Sequence, residues 1–220
     1  MPSSLNLAGV FTDALTQHIT MIRRLQAQED AFERAAVIIT DCLLRGNKVL
    51  WCGNGGSAAD SQHLAAELVG RFRRHRTGLP SIALTTDTSV LTAIANDFGY
   101  DEVFKRQVGA LCQPGDVVVG ISTSGNSKNV CAALQKAHEM DASTVAMTGQ
   151  NGGRMAALAD VCVRVPSTDP ARIQEAHILC GHILCEWIEL ATCIARAVAN
   201  GEAASPAESA FALAEGDRTQ

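Results

Sequence analysis

Aromatic residues are scarce, only 4% of the 220 residues, so a core has to be filled by Leu, Ile, Val and Ala. No Cys-x-x-Cys pair occurs among the eight cysteines, which argues against a cysteine zinc site. Cys42, Cys131, Cys180, Cys185 and Cys193 fall in helical patterns, where a reduced thiol packs as a small hydrophobe. A disulfide framework is not expected, and a reducing cytoplasm is the simplest home. Met1 to Val10 lacks a basic start and a long apolar run, so no secretory leader is expected. No stretch of 18 apolar residues runs uninterrupted, so no membrane span is expected. Positive charge is not in excess: 18 Lys+Arg stand against 23 Asp+Glu, net −5. That balance argues against nucleic acid as the main ligand. It leaves open an anionic small molecule, because a pocket can be locally positive. A Walker loop (Gly-Lys-Ser/Thr) and the Gly-x-Gly-x-x-Gly fingerprint are both absent.

What is present is an apolar fraction of 47%, enough for one packed domain. Leu5 to Arg45 reads as two helices. Leu7, Val10, Phe11, Leu15, Ile19 and Ile22 keep a three-or-four spacing, and Ala31 to Leu44 resumes it. Gly46-Asn47 stops the second helix. Five short apolar strands follow: Lys48–Cys52, Ser81–Leu84, Asp116–Ile121, Ser143–Met147 and Val161–Val165. Helices are predicted over Ser57–Phe72, Asp87–Ala95, Glu102–Leu111 and Ser127–His138. A short one follows Gly149–Gly153, and a long one runs from Ala171 to Val198. Alternating strands and helices predict an α/β fold, a doubly wound five-stranded parallel sheet in the flavodoxin-like order 2-1-3-4-5. The division expected is 1–45 as extra N-terminal helices, 46–200 as the sheet domain and 201–220 as a flexible tail, with a short helix possible at Pro206–Ala214.

In such sheets ligands bind beyond the carboxyl ends of the strands, where the order reverses. The loops after strands one and three are therefore the place to search. The first is Gly53-Asn54-Gly55-Gly56-Ser57, whose glycines let backbone N–H groups approach a ligand. Ser57 is expected to cap the next helix; a tight turn explains the glycines equally well. The second is Ser122-Thr123-Ser124-Gly125-Asn126-Ser127, four hydroxyls before a helix start. Hydroxyls, free amides and a helix dipole bind phosphate without lysine. The plain alternative is a loop capped by Ser127.

His63 and Glu67 stand four apart, so one helical face presents an imidazole and a carboxylate. The last helix carries Gln174, Glu175, His177 and His182, with Gln174 and His182 eight apart on nearly the same face. A histidine on an apolar helix is more often a packing residue than a ligand. Convergence of His63, Glu67 and His182 on one pocket would suit zinc or a similar divalent ion. Arg71, Asn96 and Asp97 are further polar candidates, although Arg71 can be merely solvated and Asn96-Asp97-Phe98-Gly99 can be a helix stop. Asp169 and Arg172 can simply cap and start the last helix. Leu184 and Trp187 read as core or subunit interface.

Gly53–Ser57 with Gln62-His63 and Glu67, then Asn96-Asp97, Ser122–Ser127, and Arg172-Ile173-Gln174-Glu175 with His182, together resemble the phosphoheptose isomerases of the sugar-isomerase (SIS) domain superfamily. The resemblance runs from the N-terminal helices through the last helix. It implies a homotetramer packed through helices, and conversion of D-sedoheptulose 7-phosphate to D-glycero-D-manno-heptose 7-phosphate. That is the first step toward heptose for lipopolysaccharide or related glycans. It implies zinc at His63, Glu67, Gln174 and His182. Substrate contacts are implied at Asn54, Gly55, Gly56, Ser57, Glu67, Arg71, Asn96, Asp97, Ser122, Thr123, Ser124, Ser127 and Gln174. By the same resemblance Glu67 is the base and His182 the acid. A second branch of the superfamily binds the bacterial replication initiator and is not an isomerase. Thr85-Thr86-Asp87 to Asn96-Asp97 is similar to it, but that branch lacks counterparts of Glu67 and His182. A sugar-phosphate sensor would need only the serine loop.

Overall fold

The computed structural model describes residues 6–199; the possible helix at 206–214 and the tail lie outside them. Helix α1 (Leu7–Leu25) starts at Asn6, whose side chain accepts the Gly9 N–H at 3.0 Å. A 3₁₀ turn at Gln26–Gln28 bends the chain into α2 (Glu29–Leu44). Then strand and helix alternate: β1 (Val49–Gly53), α3 (Gly56–Val69), β2 (Ser81–Ala83), α4 (Thr88–Phe98), α5 (Val103–Leu111), β3 (Val117–Ser122), α6 (Lys128–Glu139), β4 (Ser143–Gly149), α7 (Met155–Leu158), β5 (Val161–Val165) and α8 (Pro170–Ala199). All four strand pairings are parallel, in the order β2-β1-β3-β4-β5. This is the doubly wound sheet that the alternation predicts.

The period-two alternation of a strand builds two cores. Val49 and Trp51 of β1, with Val117, Val119 and Ile121 of β3, face α2, α3 and α8. Leu50, Cys52 and Val118 face α5 and α6. Both faces are covered, so every residue of β1 and β3 is buried. Trp51, fully buried, donates its indole N–H to Ser81 Oγ at 2.8 Å and is thereby satisfied in the core. Cys42, Cys52, Cys112, Cys131, Cys180 and Cys185 are buried, and burial pushes the thiols of Cys42, Cys52, Cys180 and Cys185 up to about 12. They act as packing groups, as the helical patterns suggest.

Some boundaries differ from expectation. The helix expected from Ser57 to Phe72 ends at Val69, where the Gly70 N–H closes on Ala66 O at 2.8 Å. The one expected to stop at Ala95 runs to Phe98, and Gly99 ends it at φ +91°. Asn96 and Asp97 thus sit on its last turn. Among the described helices, α8 alone has the length and apolarity of a membrane span. Its buried positions, Ile173, Ala176, Cys180, Leu184 and Ile188, pack in the core, the pattern of a central helix in a folded domain.

Candidate active site

The chain leaves β1 toward β2 on one side and returns to β3 on the other. The loops after β1 and β3 therefore flank the reversal point of the sheet. Gly53 of β1 is in register with Ile121 of β3, which brings the two polar loops side by side.

In the first loop the cap of α3 is Gly55 at φ +57°, not Ser57 as expected. A Cβ on Gly53 would fall 2.7 Å from the Ser57 carbonyl oxygen. The chain therefore turns two residues sooner and tucks Ser57 inside the first turn, buried. Asn54 forms a reciprocal amide pair with Asn129 of α6, 2.9 Å in each direction, and accepts Tyr100 Oη at 3.1 Å. Asn129 is 3% exposed and holds Asn54 across the crevice. Sequence reading missed it, since a lone Asn inside a helix carries no pattern.

In the second loop Ser122 Oγ lies 2.9 Å from Ser127 Oγ and 3.4 Å from Ser124 Oγ. Ser127 is the N-cap residue of α6, yet its hydroxyl makes no capping bond. Three hydroxyls thus cluster at a helix N-terminus whose amides and dipole favour an anion. Gly125, at φ +65°, lets the loop press against the Gly152 backbone, where no side chain fits. The Thr123 carbonyl is tied to Gly149 N at 3.0 Å.

Helices α3 and α8 bring the distant candidates together. His63 Nε2 lies 2.9 Å from His182 Nε2 and 3.2 Å from Glu67 Oε1. Donor atoms of the three residues all fall within 4.8 Å of one another. Two donors about 2 Å from a tetrahedral ion stand about 3.3 Å apart, so this cluster has both the chemistry and the spacing of a divalent-metal site. Close approach of the helices depends on Gly181, where a Cβ would meet Leu64 inside van der Waals contact. The Phe72 ring stacks on His182, centroids 5.4 Å apart and planes 23° apart; this aromatic also went unread in the sequence.

Gln174 enters from the first turn of α8. Its amide lies over Gly56, 2.5 Å from where a Cβ would stand, at the N-terminus of α3. Asp169 caps α8 by accepting Ala171 N–H at 2.9 Å, the plain role foreseen for it, while Arg172 ties α8 to α1 by donating to Ala14 O and also donates to Glu175, both at 2.6 Å. His177 stays outside the cluster. It is fully buried with Nε2 3.2 Å from Thr148 O, and burial lowers its pKa to about 4. Asn96 and Asp97 are exposed and bonded to each other at 2.8 Å; Arg71 is exposed. Asp60, one turn before His63, has its carboxyl pushed up to about 6 by burial, against the pull of His63.

A family profile described as SIS domain matches residues 11–149, which gives the class of this fold. A phosphoheptose isomerase from Aquifex aeolicus is 60% identical over 158 residues, 72% of this chain and 83% of its own. One from Aliarcobacter butzleri is 50% identical over 182 residues, 83% of this chain and 96% of its own. The solved structure of phosphoheptose isomerase from Neisseria gonorrhoeae superposes with a TM-score of 0.80 at 46% identity, covering 84% of this chain and 99% of that one. The chain belongs to the phosphoheptose isomerase family of SIS-domain proteins and is an enzyme, an isomerase.

Proposed function

We propose that the chain interconverts D-sedoheptulose 7-phosphate and D-glycero-D-manno-heptose 7-phosphate, the aldose–ketose isomerisation that opens heptose synthesis for lipopolysaccharide or related glycans. The observation that carries this reading is the cluster of His63, Glu67 and His182 beside a hydroxyl-lined helix N-terminus. A sensor has no use for the first, and an initiator-binding protein no use for either.

The reaction shifts a proton between C1 and C2 through an enediol. A carboxylate suits removal of the carbon-bound proton, and an imidazole suits proton exchange at the sugar oxygens. Glu67 is assigned as base and His182 as acid. A divalent ion, zinc on this reading, supplies polarisation of the carbonyl, and His63, Glu67, Gln174 and His182 are the residues that would hold it. One Glu67 oxygen is turned to His63; the other is assigned to the substrate proton. At the far end of the ketose, Ser122, Thr123, Ser124 and Ser127 take the phosphate. Asn54, Gly55, Gly56, Ser57, Arg71, Asn96, Asp97 and Gln174 line the sugar between.

The same reading makes the enzyme a cytoplasmic homotetramer acting on a soluble sugar phosphate, without nucleic acid or membrane. Residues 1–45 serve assembly and 46–200 form the catalytic domain. Support for assembly comes from α1, where Leu7, Val10, Phe11, Leu15 and Ile19 form an outward apolar stripe, 47–79% exposed.

The test is incubation of purified protein with sedoheptulose 7-phosphate, with and without a chelator, followed by detection of the aldose. Aldose formed only without chelator is expected. No aldose under metal-replete conditions, with capture of the replication initiator, would favour the rival branch.

A further inference from the structure

The segment between α3 and β2 is held by a carboxylate that the reaction does not use. Glu189, on α8 about two turns beyond His182, is 1% exposed. Its Oε1 accepts Phe72 N–H at 3.0 Å, and its Oε2 accepts Arg73 and Arg74 N–H, each at 2.8 Å. Arg76, with a side chain 3% exposed, brings Nε to 3.2 Å from Oε1. The same guanidinium donates to Leu68 O at 2.8 Å and Glu67 O at 3.0 Å, carbonyls at the end of α3 beyond its helical ladder; Leu68 O also accepts Leu79 N–H at 2.9 Å.

A buried carboxylate is costly unless paired and hydrogen-bonded, and this one is fully engaged. Its partners are not needed to end the helix, since Gly70 already does so. What the clasp fixes is Phe72 to Arg74, including the residue whose ring stacks on His182, and the final turn of α3 that bears Glu67. It ties the main chain of one catalytic group to the packing partner of the other.

We infer that Arg76 and Glu189 are positioning residues that set Glu67 and His182 relative to one another. The inference rests on the isomerase reading of the site. It competes with a purely structural role, for which the fold holds a natural control. Asp116, buried at the opposite end of the sheet, accepts Lys48 Nζ at 2.6 Å with the backbone N–H groups of Lys48 and Gln113. That pair has similar chemistry and no contact with the site.

The experiment uses full-length Glu189→Gln, Arg76→Lys, Asp116→Asn and Glu67→Gln proteins. They are assayed with sedoheptulose 7-phosphate at a temperature where circular dichroism reports each folded. Metal-stripped samples are titrated with zinc by calorimetry. Glu189→Gln and Arg76→Lys are expected to lower kcat roughly ten- to hundredfold and to weaken zinc binding by a similar factor, with KM changed less than about threefold. Asp116→Asn is expected to lower the melting temperature while leaving kcat and zinc affinity in place. Should Glu189→Gln fail to fold, Arg76→Lys, which keeps the charge, gives the same readings. Wild-type kcat and zinc affinity in either folded clasp variant would overturn the inference, as would an equal loss in Asp116→Asn. Glu67→Gln separates the two levels. If it is inactive while the clasp variants behave as wild type, only the positioning role falls; if it turns over normally, the site reading falls with it.

Discussion

His63 and His182, 119 positions apart in the chain, face each other nitrogen to nitrogen at 2.9 Å. Two neutral imidazoles share at most one proton across such a gap, and Glu67 closes the third side. On the proposed reading, removing one imidazole takes away a metal ligand and the assigned acid together. His182→Ala is expected to lower zinc content after dialysis and to reduce kcat by about a hundredfold or more. Metal analysis and steady-state rates check this; full zinc retention would take His182 out of the ligand set.

Glu67→Gln keeps the size of the side chain and removes the carboxylate assigned as base. Turnover should fall below detection while size-exclusion chromatography shows the wild-type assembly. Residual activity near wild type would reassign the proton transfer.

Gly181→Ala probes the seam between α3 and α8. The added methyl group runs into Leu64, a fully buried side chain. Overpacking of this kind costs about 1–3 kcal/mol, and here it spreads the helices that carry His63 and His182. Urea unfolding should show the loss, and kcat should fall with it. Unchanged stability and rate would mean that the two helices separate without consequence.

Ser124→Ala removes one hydroxyl from the serine cluster. Affinity for the phosphorylated sugar should weaken by about 1–3 kcal/mol, the value of a charge-assisted hydrogen bond. The change should appear in KM more than in kcat. An unaltered KM would move the phosphate elsewhere.

Acid stability should carry the mark of His177. Its folded pKa is lowered to about 4 by burial, so the folded state keeps the imidazole neutral while the unfolded chain protonates near 6.5. Its contribution is complete above pH 6.5 and is lost as pH falls toward 4, by about 3 kcal/mol in all. Asp60, raised to about 6, acts in the opposite sense, so the comparison is between wild type and His177→Gln over pH 4–7. The variant should lose less stability on acidification; parallel curves would count against the buried neutral form.

The sheet order was readable because each strand is a short apolar run followed by a glycine or hydroxyl loop and then a helical period. The paired loops stood out for the same local reason: Gly53–Ser57 and Ser122–Ser127 are unusual in composition. His63 and Glu67 share a helical face by spacing alone. Their meeting with His182 was only a possibility in the sequence, because it depends on how α3 and α8 cross. Asn129, Phe72, Arg76 and Glu189 were invisible for that reason too. Each acts through a partner far along the chain, and neighbouring residues give no hint of it. The misplaced cap at Ser57 had another cause: the close approach of Gly53 to the Ser57 carbonyl is a restraint within the turn that capping preference ignores.

Helix α8 follows all five strands, yet it delivers His182 and Gln174. During synthesis the serine cradle at β3 and α6 leaves the ribosome well before the residue assigned as acid. A nascent or prematurely terminated chain thus contains Glu67 and the serine loop but lacks the residue assigned as acid. The assigned acid arrives last, with the last long element to emerge, and a chain broken before that point is expected to be inactive.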